Sequence, residues 1–201
     1  MESLINRAKR IVLQPNVAWE IIKTEKVSVT ELLTTYILPL AIIPAIASFI
    51  GYGFIGLNAG ILGQSASLVW GINQAVTIFF STFIGILGGA WIIRQLAPNF
   101  GVTVSIENAV KLVGYSYTPL LLAGIFYIIP ALAVFVVIGS LYCLYVLYLG
   151  FQPITNVGDD QRTGYFLLSL IAVIALFMAI SFVLKVIMTM FGLAGLPAAG
   201  L

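Results

Sequence analysis

Histidine is absent from the 201-residue chain. With it go the commonest general base, the usual zinc ligand and the usual switch near neutral pH. Charged residues make up only 8% of the sequence, against roughly 25% in a soluble globular domain. The single cysteine, Cys143, stands inside an apolar run, so no intramolecular disulfide is open to it and no neighbour in sequence activates its thiol. There is no nucleophile elbow and no P-loop. A metal site from Glu107, Asp159 and Asp160 is conceivable, but ordinary solvation of loop carboxylates is the stronger reading. No catalytic constellation assembles from these residues, so we expect neither an enzyme nor a cofactor. A net charge of +2 is too small to suggest nucleic acid.

What the chain has in abundance is apolar surface: 61% of its residues are hydrophobic, and the mean hydropathy is +1.13. Water cannot be its main solvent. Five apolar stretches, at about 32–53, 67–95, 107–128, 130–150 and 164–188, each approach the ~20 residues needed to cross a ~30 Å hydrocarbon core. The expected fold is an all-α integral membrane protein, a five-helix bundle with short amphipathic helices before it. Residues 1–31 form an N-terminal segment and 32–201 a transmembrane domain. The mixed polar start lacks the pattern of a cleaved signal peptide, so we expect it to stay in the mature protein.

Residues 4–13 place Leu4, Ile5, Ala8, Ile11 and Val12 on one helical face, with Asn6, Arg7 and Arg10 on the other. Such a helix either lies among anionic headgroups or docks on the end of the bundle. Pro15 stops it; Asn16 is a candidate N-cap for a second short helix, Val17 to Lys26, carrying Trp19 and Ile22. Trp70 and Trp91 stand 21 positions apart, about 31 Å along a helix, the spacing of two interfacial aromatic belts. Ile129-Pro130 reads as a tight turn, with Pro130 opening the next helix.

Lys and Arg fix the expected orientation. Arg7, Lys9, Arg10, Lys23 and Lys26 precede the first span, Arg94 and Lys111 flank the second loop region, and Arg162 lies in the fourth; the loop 53–67 and the turn at Pro130 carry no charge. The reading that satisfies every loop has the N-terminus cytoplasmic and the C-terminus outside. Lys185 then snorkels to the far interface. Arg94, Glu107, Lys111 and Arg162 form a charge cluster at the cytoplasmic face, with Glu107 and Lys111 spaced as an i,i+4 pair.

Within the spans, Gln74, Thr77, Ser81, Gly85 and Gly88 recur at three and four, and Gly85 and Gly89 form a GxxxG. In lipid such small-residue stripes allow helices to approach closely. Ser169, Ala172, Ala175 and Ala179 make a comparable stripe in the fifth span, so these two helices are candidates to face each other or the bundle centre. Packing is the stronger reading of the Gln74 stripe; lining a pore or substrate path is the alternative. Pro39, Pro44 and Pro119 remove backbone donors and are expected to kink their helices, with a neighbouring side chain satisfying the freed carbonyls. Tyr142, Tyr145 and Tyr148 suit interfacial anchoring.

Three segments in order carry a family resemblance: Leu38-Pro39 through Ile43-Pro44 to Phe49-Ile50-Gly51; Gly114-Tyr115-Ser116-Tyr117-Thr118-Pro119-Leu120; and Leu147-Tyr148-Leu149-Gly150. They resemble the Yip1 family in its bacterial inner-membrane branch, and Trp19 with Ile22 and Glu25 looks like the stretch before the first span in those relatives. The resemblance implies a five-helix bundle, N-terminus inside, with Pro39, Pro44, Gly51, Gly114, Tyr115, Pro119, Tyr148 and Gly150 as motif positions. Eukaryotic relatives are associated with Rab GTPases and carry Asp-Leu-Tyr-Gly-Pro before the first span; that motif is missing here, so Rab binding is not implied. The expected partners are the lipid bilayer and further copies of the chain or other membrane proteins. The expected role is non-catalytic membrane organisation or scaffolding through helix association. The alternative is a small channel, transporter or lipid-handling protein for ions, neutral solutes or lipids; the scarcity of intramembrane charge counts against it, though less against lipid or neutral-solute handling than against proton coupling.

Overall fold

The computed structural model describes residues 3–56 and 66–190, with side chains described through Leu176 and at Met178. Loop 57–65, residues 191–201, Lys185 and the side chain of Ala179 lie outside the described set.

Two short helices come first. In α1 (Leu4–Leu13) the Ser3 hydroxyl accepts the Asn6 amide at 3.3 Å, and Arg10 sits in the last turn, where the helix dipole favours a cation. The second helix, α2 (Pro15–Thr24), starts two residues earlier than the sequence suggests. Pro15 ends one helix and opens the next at N1, where its missing N–H costs nothing, so Gln14 rather than Asn16 is the cap residue.

Four helical segments that follow are long and apolar enough to cross a membrane: α3 (Val29–Ile55), α4 (Leu68–Phe100), α5 (Ile106–Ile128) and α6 (Pro130–Thr155). They match the first four expected stretches closely. The fifth stretch falls within α7 (Asp159–Met190), 32 residues long. Ser28 caps α3 through the Glu31 amide at 3.2 Å, and Ser105 caps α5 through the Asn108 amide at 3.2 Å. Pro130 opens α6 through a short 3₁₀ turn, as the tight link from Ile129 requires. Asn156, with φ 56°, ends it.

The prolines are absorbed locally. Ahead of Pro39 the backbone widens to a π-helical turn over Leu33–Ile37, in which the Leu38 amide donates to the Leu33 carbonyl. The wider turn makes room where the proline ring would meet the Thr35 carbonyl. Around Pro119, α5 breaks into Ile106–Ser116 and Thr118–Ala123.

Among the spans α5 is the centre: 67% of its most apolar window is buried, against 22 to 39% for α3, α4 and α6. It packs against α3, α4 and α6, while α7 rests on α4 and α6. The helices approach through glycine. Gly51 lies against the carbonyls of Tyr127 and Ile128, Gly124 against the Pro44 ring, and Gly139 against Ala123. Helices α1 and α2 dock against α5 and α6. Ile11, Trp19 and Ile22 are at most 2% exposed, the Trp19 indole donates to the Val146 carbonyl at 3.0 Å, and the Tyr142 hydroxyl donates to the Val12 carbonyl at 2.7 Å. Helix α1 is thus docked on the bundle. Its outer face still shows Ile5 and Leu13 beside Lys9.

The Trp19 ring occupies the space a side chain at Gly150 would need. Gly150→Val therefore lowers stability in detergent by about 1–3 kcal/mol, as overpacking does. Gly88→Ala, whose added methyl meets only Leu176 at 4.0 Å, leaves it unchanged; thermal unfolding of the two variants side by side checks this.

Candidate functional site

The break at Pro119 begins a chain of polar contacts that runs outward to α1. Pro119 has no N–H for the Tyr115 carbonyl four residues back. The Thr118 hydroxyl donates to that carbonyl at 2.7 Å, which uses its one proton. The Tyr36 hydroxyl, 2.9 Å from Thr118 Oγ1, is then the donor of that pair. The Tyr36 and Tyr115 rings meet edge to face at 4.9 Å. Arg7 Nη1 donates to the Tyr115 hydroxyl at 3.3 Å, and the guanidinium grips Glu25 with both arms, Nη2 to Oε1 at 2.7 Å and Nη1 to Oε2. Those bonds raise the Arg7 pKa above its ordinary value against the opposing effect of burial. From the other side, the buried Lys111 ammonium donates to the Glu25 backbone carbonyl at 2.9 Å. Glu25 ends α2, so the joint between the N-terminal helices and the first span is held by its carboxylate and its carbonyl together.

Around this clamp lies a polar cleft of about 650 Å³, bounded by α1, the end of α2 and the start of α3. Arg7, Arg10, Lys26, Glu25 and Glu31 all face it. With both signs of charge on its walls the cleft is no single-sign anion trap.

A second cavity, about 230 Å³, lies inside the bundle between α4, α5, α6 and α7. Its walls are Leu, Val, Ile and Phe, interrupted by Ser116, Tyr117, Ser140, Cys143 and Ser169. Ser116 and Ser140 return their protons to backbone carbonyls of their own helices. Among the described residues, the buried Ser169 hydroxyl has no hydrogen-bond partner.

The Yip1 domain matches residues 9–195. The chain belongs to the Yip1 family. Two relatives, the inner membrane protein YohC of Escherichia coli K12 and that of E. coli O6:H1, are each 28% identical to it over 156 residues, 75% of this chain and 80% of the relative. No solved structure matches it.

In this Yip1 chain the motif positions are places of close approach or of the polar chain. Pro44 and Gly51 are contact points between α3 and α5. A side chain at Gly114 would meet Leu32 at 3.3 Å and Ile37 at 3.5 Å. Tyr115 and Pro119 belong to the clamp, and Gly150 seats Trp19. Tyr148 takes two bonds from Arg162 on its carbonyl, at 2.7 and 3.2 Å, with the guanidinium carbon 4.1 Å from its ring centre.

The stripe on α4 divides. Gly85 faces the Tyr117 hydroxyl, Gly89 faces Val113, and Gly88 meets Leu176 of α7. Thr77 bonds Asn73 at 3.4 Å, Gln74 is half-buried and Ser81 is exposed. The inner cavity touches Gly85 and Gly89 and leaves Gln74, Thr77 and Ser81 aside.

Nor do the four charged residues form one cluster. Arg94 and Lys111 act on Glu107 electrostatically, but Lys111 makes its hydrogen bond to Glu25, and Arg162 is held at Tyr148. Among the described residues no three His, Cys, Asp or Glu side chains gather, Glu107, Asp159 and Asp160 included. The polar face expected for Arg7 is a correction: it turns inward because Glu25 and Tyr115 offer it partners that water would otherwise supply. Composition and periodicity carry no sign of a partner 18 or 108 positions away.

Loss of the clamp is measurable. Glu25→Gln removes the charge from its strongest hydrogen bonds, worth about 1.5–3 kcal/mol, and speeds amide hydrogen exchange through α1. Arg7→Gln gives the same phenotype, and the double variant adds little to either; additive effects would show that the two side chains act separately.

Proposed function

We propose that this Yip1-family chain is a non-catalytic inner-membrane protein of five spans, α3 to α7, with its N-terminus cytoplasmic and its C-terminus on the far side, acting as a membrane organiser. The inner-membrane relatives and the placing of Arg and Lys support that location and orientation.

The observation that carries the role is where the small and polar residues of the bundle go. Gly85 and Gly89 are taken up by Tyr117 and Val113, and the carbonyl exposed by Pro119 is closed by Thr118. These features serve the chain's own packing, so the Gln74 stripe gains no support as a transport path. Association with other proteins then falls to outer surfaces. On the docked N-terminal helices Ile5, Leu13 and Val17 are 74%, 65% and 52% exposed, outside any spanning helix.

In a Cys143→Ser background, Leu13→Cys treated with a short bifunctional thiol reagent in native membranes gives a cross-linked product larger than the monomer. Purified chain in liposomes passes no ion or small solute faster than protein-free liposomes do. Monomer alone, together with selective flux, would overturn the organising role. A C-terminal alkaline phosphatase fusion is active if the orientation is right, and silent if it is reversed.

A further inference from the structure

We propose that the cavity between α4, α5, α6 and α7 is a binding site for a single glycerophospholipid, with its phosphate at Arg162, an acyl ester carbonyl at Ser169 and Tyr117, and one acyl chain inside the bundle. This goes beyond the organising role and stands without it.

The walls decide the chemistry of the buried part. Among the described residues no charged side chain lines the cavity, so a phosphate is not held inside it. Its volume of about 230 Å³ is several times the ~30 Å³ share of a water molecule, and its mostly apolar walls leave most such waters without partners. An alkyl chain has no such need.

Two hydroxyls give the site its polarity. Ser169 is 3% exposed, and its oxygen has no partner among the described residues. Tyr117 also lines the cavity, and its hydroxyl, unlike its backbone amide and carbonyl, has no hydrogen-bond partner among the described residues. Its hydroxyl lies 2.6 Å from where a Cβ on Gly85 would stand, so the glycine makes the room that lets it lie there. Leaving the buried Ser169 hydroxyl without a partner is costly, and a ligand carbonyl, which only accepts, suits both donors.

Helix geometry supplies the third point. Arg162, Phe166, Ser169 and Val173 follow one face of α7, and Arg162 lies seven residues before Ser169, about 10 Å along the axis. A glycerol backbone with a hydrogen bond at each end covers that distance. Arg162 uses Nε and one arm on the Tyr148 carbonyl, and a guanidinium has five N–H donors, so the other arm is left for a phosphate oxygen. Of the lining residues, Leu120, Leu144, Leu147 and Leu170 are only half-buried, so the wall they make is where an acyl chain would enter.

The test uses the full chain purified in mild detergent and examined by native mass spectrometry. The wild type carries one tightly held phospholipid, and Arg162→Gln and Ser169→Leu each lower its occupancy, the former about tenfold. To guard against misfolding, wild-type chain is also placed in phosphatidylglycerol vesicles containing a phosphatidylglycerol with a photoactivatable group in its acyl chain. Cross-links then map to the buried Gly89 or Cys143, which annular lipid does not reach. A chain with no lipid adduct, a dimer with none, or labelling confined to outward residues such as Leu141 and Ile171 would overturn the proposal.

Discussion

In a hydrocarbon layer a backbone carbonyl that loses its amide partner has no water to turn to. Pro119 creates one such carbonyl, on Tyr115, in the most buried of the spans, and its closure by Thr118 sets much of what surrounds it. Because Thr118 gives its proton to that carbonyl, Tyr36 must donate to Thr118, which fixes the Tyr36 ring against Tyr115. The Tyr115 hydroxyl thereby meets Arg7, and Arg7 holds Glu25. A defect in one helix is thus repaired by a contact that also ties α3 and α1 to it. The same logic appears at Lys111, whose buried charge ends on the Glu25 carbonyl at the close of α2.

Between the spans a different constraint operates. Lipid tails are as apolar as leucine, so helices gain little from merely hiding side chains and depend on fit. Glycine supplies that fit, and its partners here are unusually rigid: carbonyls opposite Gly51, a proline ring opposite Gly124, an indole opposite Gly150. None of these moves aside for a methyl group as the end of a flexible side chain does. This accounts for glycine and proline standing at corresponding depths on neighbouring helices.

Four spans were legible in the sequence because hydropathy is a local property summed over twenty residues, and the ends differ by only a few positions. The start of α2 was misplaced since Pro15 reads equally as a stop and as an N1 residue, and only three dimensions show it doing both. The stripe from Gln74 to Gly88 was visible as a period, but a period does not say what stands opposite; Tyr117 opposite Gly85 and an exposed Ser81 differ through neighbours on other helices. Arg7 and Lys111 were read as surface cations for the same reason. Their partners lie 18 and 86 positions away, and helical spacing rules reach only four. The family motif marked Gly150 without saying what stands opposite it; the structure puts the Trp19 ring there.

The docking of α1 and α2 also has a history in time. Trp19 leaves the ribosome well before the carbonyl that receives its indole, which belongs to Val146, 127 positions later. At roughly 5–20 residues per second, the two ends of this hydrogen bond are born on the order of ten seconds apart. During that interval an amphipathic segment with its tryptophan uncovered waits beside a half-inserted chain. Its arginines and apolar face suit it to rest on the membrane surface meanwhile, and its final seat exists only once α6, which carries Val146 and Gly150, has been made.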